Sequence, residues 1–317
     1  MTIRTGLGIV ILCQFGWIAG CAGGKPVTPG LRREVPVAVL RPAAPMVLPG
    51  AAILEKNQAG LVDCNNPAHW DGDTIYVFSS IGYADRSEGA DLFSLKRPSI
   101  RTHYDNEADQ SIGGRWIEAT YKHESGVLYG WYHNEPPAIC GPDRSLTAPR
   151  IGAAVSMDNG LNWKDLGIIL TAPPDSLNCE TANRYFAGGN GDFSVILDRR
   201  QRWFCFLIST YNRDVAEQGV AIARMAFADR DQPVGKVFKW HKGGWNEPGL
   251  GGHVTPIFPV ASDWHQEKLD AFWGPSIHYN AHLGQYVILM NRAIDKEWTQ
   301  EGVYVTFCPD LADPNGW

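Results

Sequence analysis

Three acidic residues lie at matching places in successive parts of the chain, and together they could cleave an acetal bond. Asp63 lies in "VDCNNPAHW", Glu118 in "RWIEATY" and Asp192 in "GGNGDFSV". Glycosidic cleavage needs one carboxylic acid that protonates the leaving oxygen, and one carboxylate that activates water or attacks the anomeric carbon. A third carboxylate can keep the pKa of the acid high by like-charge repulsion. The three residues are therefore candidate catalytic residues.

Each acid also has a structural interpretation. Asp63 could cap a turn before a strand, and Asp192 could be a turn residue in "GNGD". Glu118 interrupts an apolar strand, where a charge is costly unless it is paired, which favours a function. Glu135 and Glu247, the latter in the Gly-rich "GGWNEPGLGG", are alternative acids.

Short β-strands must position these acids. No long stretch has a period near 3.6, whereas alternating β-branched and aromatic runs recur throughout. The runs form four units, of which the clearest is "RWIEATYK", "GVLYGWYHNEP" and "RIGAAVSMDNGLNW"; the first and loosest ends in "GADLFSLKR". Units of roughly 40 to 50 residues with several short strands predict an all-β protein with a β-propeller fold. A β-sandwich is the alternative architecture.

The propeller prediction identifies further candidates. Residues at the starts of the inner strands and at the exits of the second strands converge on one face, around the central channel. The candidates for substrate binding are Asn66, His69, Arg86, Glu135, Arg150, Tyr211, Arg213, Trp273, His278 and Arg292. The arginines could bind a carboxylate through two parallel hydrogen bonds, or could simply neutralise the acids. For the two histidines a structural role is the simpler interpretation.

The segment "SMDNGLNW" closes the third strand of the second unit. Asp158, Asn159 and Gly160 tolerate a positive φ, so they predict a tight hairpin turn. The segment resembles the Asp box of sialidase-type propellers, a turn at the blade periphery. We therefore expect Asp158 to lie outside any active site.

The acids and repeats resemble the five-bladed propeller glycoside hydrolases of the arabinanase, xylosidase and β-fructosidase group. The resemblance implies that Asp63 is the base or nucleophile and that Glu118 and Asp192 occupy the second- and third-blade positions. That group has Asp on blade two and Glu on blade three, so the acid types are exchanged here. It also implies five blades, of which four are visible before Trp317, and hence a truncated C-terminus. A sialidase-like hydrolase of acidic sugars, in which Tyr211 pairs with Glu135 or Glu118, and a non-catalytic glycan-binding lipoprotein are the alternatives.

The N-terminal residues 1–21 predict an export signal. A basic start at Arg4 and a short apolar segment end in "IAGC", which resembles the signal of bacterial lipoproteins. This resemblance implies lipidation of Cys21 and a location in the cell envelope, at the outer membrane or in the periplasm. Residues 22–50, rich in Pro, Gly and Val, are then a tether, and residues 51–317 are the propeller domain.

The remaining cysteines match no zinc pattern. Cys140 and Cys179 lie in loop-like contexts and could form a disulfide, whereas Cys205 and Cys308 lie in strand-like runs and are expected to be buried thiols.

The composition narrows the function classes further. A net charge of −6 and the lack of a basic stripe argue against nucleic-acid binding. We expect no metal ligands and no cofactor, although a channel calcium is compatible with the fold. The sequence predicts a monomeric, lipid-anchored glycoside hydrolase that acts on a glycan or oligosaccharide.

Overall fold

The computed structural model describes residues 39, 62–96, 99–142 and 145–317. The predicted signal peptide with Cys21, and the predicted tether apart from Val39, lie outside the described residues. No helix in the described part of the chain is long and apolar enough to cross a membrane.

Four β-sheets follow one another along the chain, and the described residues contain no α-helix. The first sheet has the strands β1 (Ala68–Asp71), β2 (Thr74–Ser80), β3 (Ala84–Gly89) and β4 (Ile100–Arg101). The second has β6 (Gly114–Lys122), β7 (Leu128–Glu135), β8 (Arg150–Ser156) and β9 (Asn162–Leu170), with β5 (His103–Tyr104) parallel to β9.

The third and fourth sheets repeat this up-and-down order. The third sheet has β10 (Asn190–Leu197), β11 (Trp203–Thr210), β12 (Gly219–Ala226), β13 (Val237–His241) and β14 (Gly244–Pro248), and β15 (Phe258–Pro259) pairs with β12. The fourth has β16 (Ala271–Asn280), β17 (Gln285–Ala293) and β18 (Gln300–Cys308). The antiparallel sheets are four blades of a β-propeller, which confirms the predicted fold. The inner strands β1, β6, β10 and β16 are neighbours in that order.

One predicted strand was misplaced. The sequence placed the third strand of the first blade at "GADLFSLKR", but β3 ends at Gly89, where that segment begins. The N–H of Ser94 donates to the Asp91 carboxylate and also lies near the Asp91 carbonyl, so this segment turns. The third strand instead follows directly from the "SSIGY" turn.

Aromatic side chains hold neighbouring blades together. Between blades two and three, Trp131 packs against Phe204 and Phe206 with ring centroids 4.9 and 5.8 Å apart. Between blades one and two, Trp163 is 2% exposed and lies 5.8 Å from the ring of Phe78. Apolar side chains at alternate strand positions therefore fill the interfaces between blades. Polar side chains lie at the central channel.

The Asp158 turn joins β8 and β9 at the blade periphery, as predicted. The Asp158 carboxylate accepts the N–H groups of Leu161 and Asn162 at 3.1 and 2.9 Å. Asn159 has a φ of 59° and Gly160 a φ of 80°, which this turn requires. The turn fixes the entry of Trp163 into the interface of blades one and two.

A buried lysine ties blade three to the end of blade two. Lys239 in β13 is fully buried, and its Nζ donates to the carbonyls of Thr171 and Gly252, both at 2.7 Å, and to Asn190 Oδ1 at 3.1 Å. Burial lowers the pKa of Lys239 to about 7. Three acceptors match the three N–H donors of an ammonium group, so each of them is satisfied. Asn190 begins β10, the strand that carries Asp192.

We expect Lys239→Met to lower the free energy of unfolding by about 3–5 kcal/mol, because it leaves three buried acceptors without a donor. Urea denaturation measures the change. The matched control is Lys236→Met, an exposed lysine that directly precedes β13, which should change stability by less than about 0.5 kcal/mol. Equal stabilities of the two variants would contradict a structural role for the buried ammonium.

Candidate active site

The inner strands of blades two, three and four each contain a β-bulge where they approach the channel mouth. In β6 the residue left unpaired is Glu118, and in β10 it is Asp192. In β16 the register shifts between Trp273 and Ser276. A bulge re-aims the side chain of the extra residue. The bulges therefore turn two acids, from two blades, toward one place.

These bulges border a pocket of about 290 Å³ at the channel mouth, which we call the carboxylate pocket. The pocket combines a set of acids, one imidazole and an aromatic wall. Its lining residues are Asp63, Trp116, Glu118, His133, Glu135, Tyr185, Phe186, Asp192, Trp273, Trp298 and Gln300.

Glu118 is the most deeply buried acid of the pocket. Its side chain is 1% exposed, and its Oε2 accepts the backbone N–H of Phe193 in the neighbouring blade at 2.8 Å. Burial, together with the negative charges of Asp192 and Asp63, raises the pKa of Glu118 to about 8, against the opposing charge of His133. Near neutral pH the Glu118 carboxyl therefore retains a proton.

His133 lies between three carboxyl groups. Its Nε2 is 3.1 Å from Glu135 Oε1, and its Nδ1 is 3.5 Å from Glu118 Oε1. Burial opposes a charge on the ring, but the hydrogen bond to Glu135 and the nearby acids outweigh it and raise the pKa of His133. The backbone N–H of Asp192 points at Nδ1 from 3.2 Å, which opposes a second proton on the ring. Glu118 and His133 are coupled, so they titrate as a pair and their shared proton is a property of both groups.

Asp192 is held rigidly from behind. Its backbone φ is 40°, a left-handed conformation that is rare outside glycine. Tyr211, fully buried, donates its hydroxyl to Asp192 Oδ2 at 2.5 Å, and the Ser209 hydroxyl donates to the Asp192 carbonyl at 3.1 Å. Burial raises the pKa of Asp192, although His133 and the Tyr211 hydroxyl act against it. The second carboxyl oxygen, Oδ1, remains for the pocket.

Asp63 is the acid of the pocket that is most open to solvent. Its backbone N–H donates to the carbonyl of Ser80 at 3.0 Å, which fixes the segment before β1. Partial burial and the charges of Asp192 and Glu135 raise the pKa of Asp63. Because Asp63 is exposed, water screens these charges more than at Glu118.

One group of described residues could offer ligand atoms to a metal ion. Atoms of Glu118, His133 and Asp192 lie within 4.8 Å of one another. The Phe193 N–H, the Asp192 N–H and the Tyr211 hydroxyl already donate to these three side chains. Each of the three side chains thus already has a protein donor for one of its atoms.

The structure brings half of the sequence candidates to this region. Asp63, Glu118, Asp192, Glu135 and Trp273 line the pocket. Tyr211 is fully buried and donates to Asp192, so it supports that residue and does not itself line the pocket. Asn66 lines the channel further down, where Glu118 forms part of the wall.

Two candidates of the first blade lie elsewhere, at the Asp158 turn. Arg86 donates from Nη1 to the carbonyls of Asp158 and Asn159 at 2.8 and 3.2 Å, and stacks on Tyr76. His69 also stacks on Tyr76 with ring centroids 5.2 Å apart, and burial lowers its pKa to about 4. Both side chains fill the interface of blades one and two, so they cannot reach the pocket.

The other four outlying candidates have protein partners or open surface around them. Arg150 donates to Asn134 Oδ1 at 2.6 Å, and Arg292 forms a bidentate pair with Asp270 at 2.7 and 2.8 Å. Arg213 borders a separate cleft, and His278 is exposed further along β16. The candidate acid Glu247 lies in β14 and accepts the N–H of His253 at 3.0 Å. No arginine of the described residues lines the carboxylate pocket.

The imidazole and most of the aromatic wall were not among the residues predicted from the sequence. His133 and Glu135 are two positions apart in β7, so strand alternation places them on one face, and Trp116 lies two positions before the bulge residue Glu118 in β6. That signal could have identified both missed residues. The others, Tyr185, Phe186, Trp298 and Gln300, lie in loops or at a strand start, where no periodicity marks them.

A disulfide links the loops on either side of the pocket. Cys140 and Cys179 are bonded, which confirms the predicted pairing, and Cys205 and Cys308 are buried thiols as expected. Cys140 follows Glu135 in the loop after β7, and Cys179 precedes Tyr185 in the loop before β10. The bond therefore ties the acid side of the pocket to its aromatic side.

We expect the double variant Cys140→Ser/Cys179→Ser to lose about 2–5 kcal/mol of unfolding free energy, because the unfolded chain regains the entropy of an open loop. Denaturant titration with and without dithiothreitol measures it. The reductant should destabilise the wild type and leave the double variant unchanged. A reductant effect of equal size on both would show that another group is responsible.

The buried acid predicts a pH dependence of stability. The folded pKa of Glu118 lies above its ordinary value of 4.5, so the folded protein binds more protons than the unfolded chain between the two values. This contribution is complete below pH 4.5 and is lost as pH rises through about 8. We expect stability to fall across this range, by up to about 1.4 kcal/mol per pH unit for one proton.

Glu118→Gln should flatten this decline, because the amide does not titrate and can still accept the Phe193 N–H. Urea denaturation from about pH 5 to about pH 9 measures the slope. Glu124→Gln, in the exposed turn after β6, is the control and should keep the wild-type slope. A Glu118→Gln slope as steep as the wild type would refute the raised pKa.

No protein-family model matches the sequence, and no curated protein matches it. The chain is similar in structure to an exo-β-1,3-galactanase from Phanerochaete chrysosporium (13% identity, 84% of this chain, 52% of that one, TM-score 0.47). It is also similar to a family 43 glycoside hydrolase from Bacillus licheniformis (15% identity, 80% of this chain, 53% of that one, TM-score 0.48). A third similar structure is an endo-arabinase from Bacteroides thetaiotaomicron (12% identity, 80% of this chain, 78% of that one, TM-score 0.46). The chain spans about half the length of the first two. Likeness at this level says nothing about the reaction of this chain, which has to be inferred from the pocket.

Proposed function

We propose that this chain is a glycoside hydrolase and that the carboxylate pocket is its active site. One observation carries the proposal: Asp63, Glu135 and Asp192, from three different blades, line one pocket whose other wall is aromatic. Aromatic faces with a few convergent polar groups are typical of small-ligand sites, and paired carboxyl groups are what acetal hydrolysis requires.

Asp192 is the proposed proton donor. Its raised pKa favours the neutral acid, and the Tyr211 hydroxyl occupies Oδ2, so Oδ1 can carry the proton into the pocket. Protonation of the leaving oxygen breaks the glycosidic bond as positive charge develops on the sugar. The strained backbone and the buried Tyr211 hold the acid in one orientation.

Asp63 is the proposed base or nucleophile. It is the acid with the best access to water, and it enters the pocket from a different blade than Asp192. As a carboxylate it either removes a proton from the attacking water or attacks the anomeric carbon itself. Glu135, the remaining acid of the wall, is held by His133 and is positioned to bind a sugar hydroxyl.

Glu118 is a positioning residue in this proposal rather than a reactant. Glu118 lines the pocket, but only 1% of its side chain is exposed and its Oε2 accepts the Phe193 N–H, so it is less accessible to a substrate than Asp63 or Asp192. The protonated Glu118 and His133 hold the bulge of blade three beside that of blade two. They also set the local charge that Asp192 experiences.

The shape and charge of the pocket favour a small neutral sugar. Its volume, about 290 Å³, is near the lower end of the roughly 300–1,000 Å³ of small-molecule sites. No arginine is among the described lining residues, and the basic side chain that is there, His133, already faces Glu118 and Glu135. Little positive charge is therefore left to neutralise a carboxylated sugar. This supports a neutral terminal residue over the sialidase-like alternative.

We further propose that the protein is exported and lipid-anchored through Cys21. The apolar N-terminal segment and "IAGC" support this. The Cys140–Cys179 disulfide supports an oxidising compartment as well, since structural disulfides are rare in the cytosol.

Hydrolysis of a panel of neutral and acidic aryl glycosides and oligosaccharides tests the proposal. We expect Asp63→Asn and Asp192→Asn each to lower kcat by at least about 10²-fold, because each removes a group that transfers a proton in the reaction. Asp73→Asn, in the exposed turn between β1 and β2, should keep the wild-type rate.

Three further outcomes separate the alternatives. Cleavage that survives in both variants would show that the site lies elsewhere. Absence of cleavage, with glycan binding that persists in both variants, would identify a non-catalytic glycan-binding protein instead. Cleavage of acidic sugars only would favour the sialidase-like alternative.

A further inference from the structure

A second pocket lies at the opposite ends of the strands, between blades three and four. Its volume is about 150 Å³. Its charged lining residues are Arg199, Arg200, Arg202, Arg224, Asp198 and Asp310. We call it the arginine pocket.

Arg224 is the central cation of the arginine pocket. Its guanidinium carbon lies 4.2 Å from the ring centre of Trp203 and 4.4 Å from that of Trp245. No described residue forms a hydrogen bond or an ion pair with this guanidinium. Ring stacking leaves the N–H edge of a guanidinium free. Arg224 thus offers a planar set of donors in a fixed orientation.

The two acids of the arginine pocket already have partners within the protein, and Asp198 Oδ2 lies 3.8 Å from Arg202 Nε. Asp198 Oδ1 accepts the N–H groups of Arg202 and Trp203 at 2.6 and 3.0 Å. Asp310 Oδ1 accepts the N–H of Ala312 at 3.0 Å. The arginine pocket has four arginines and only two acids, both of which already have partners, so its net charge is positive. Burial lowers the pKa of Arg224, and the neighbouring charge of Arg202 acts in the same direction. A bound anion would act in the opposite direction, because it stabilises the charged guanidinium.

Tyrosine rings complete the wall. Arg199 stacks on Tyr279 at 4.3 Å, and its backbone N–H donates to the Tyr286 hydroxyl at 3.0 Å. A pocket with stacked arginines and aromatic edges suits a small ring that carries a carboxylate. A carboxylate can accept two parallel, charge-assisted N–H bonds from Arg224, whereas the hydroxyl oxygens of a neutral sugar accept weaker, uncharged ones.

We propose that the arginine pocket is a second binding site, which recognises the carboxylate of an acidic sugar through Arg224. It is separate from the carboxylate pocket: Asp192 lies near the start of β10 and Asp198 directly follows its end, about 20 Å away at the rise of a β-strand. The site therefore does not depend on the reaction proposed for the other face. It would hold an acidic branch or a neighbouring chain of the glycan on the protein.

Isothermal titration of the whole chain with galacturonate tests the site, with glucose and inorganic phosphate as comparison ligands. We expect galacturonate to bind and glucose not to bind. Arg224→Met should weaken galacturonate binding at least about tenfold, because it removes a charge-assisted hydrogen-bond pair. Arg224→Lys, which keeps the charge but not the planar fork, should give an intermediate loss and guards against a folding defect.

Two matched variants make the test specific. Arg230→Met removes an arginine of the same blade that stacks on Phe227 at 4.2 Å and already donates to the Phe227 carbonyl, so it should leave binding unchanged. Asp192→Asn should also leave it unchanged, because the carboxylate pocket is not involved. Galacturonate binding that is insensitive to Arg224→Met, or that disappears in Asp192→Asn, would overturn the proposal. Binding of phosphate without galacturonate would overturn its sugar part.

Discussion

The candidate site depends on one buried carboxyl group shared between two blades. Glu118 belongs to the inner strand of blade two, yet its Oε2 accepts the N–H of Phe193 in blade three. A carboxylate buried this deeply is unfavourable unless it is protonated or paired. The two blades therefore have to bring a proton, His133 and a backbone donor to the same point. Because Phe193 directly follows Asp192, the hydrogen bond that satisfies Glu118 also sets the position of Asp192.

Each further polar group at the channel mouth satisfies its neighbour. His133 connects Glu118 with Glu135, Tyr211 supports Asp192, and Ser209 bonds both the Asp192 carbonyl and the N–H of Gly274. The chain of contacts thus runs from blade two to blade four. A fully satisfied polar network is rigid, whereas a single missing partner leaves a buried group unpaired. Rigidity of this kind is what a site needs when it must hold two proton-transferring groups in a fixed relation.

The sequence predicted the propeller and singled out three acids that line one pocket, but it assigned the arginines to the wrong places. The acids were found because the start of an inner strand is a fixed position in a blade, which a repeat reveals. The arginines were grouped by the same rule, but a long side chain follows its nearest acceptor. Arg86 reaches the carbonyls of the Asp158 turn and Arg292 reaches Asp270. Loop residues such as Tyr185 and Trp298 have no repeat to mark them, and only the fold brings them to the pocket.

The backbone of Asp192 supports the proton-donor role that we propose for this residue. A non-glycine residue at a φ of 40° costs on the order of 1–3 kcal/mol, and glycine, which already occupies positions 188, 189 and 191, would avoid that cost. Lys239 and the Cys140–Cys179 bond stabilise the surrounding strand and loops, so the fold can tolerate the strain. An aspartate in this conformation, with a raised pKa and one oxygen fixed by Tyr211, has no evident advantage for folding. It does have one for a proton donor, because the direction of its free oxygen is determined before any substrate arrives.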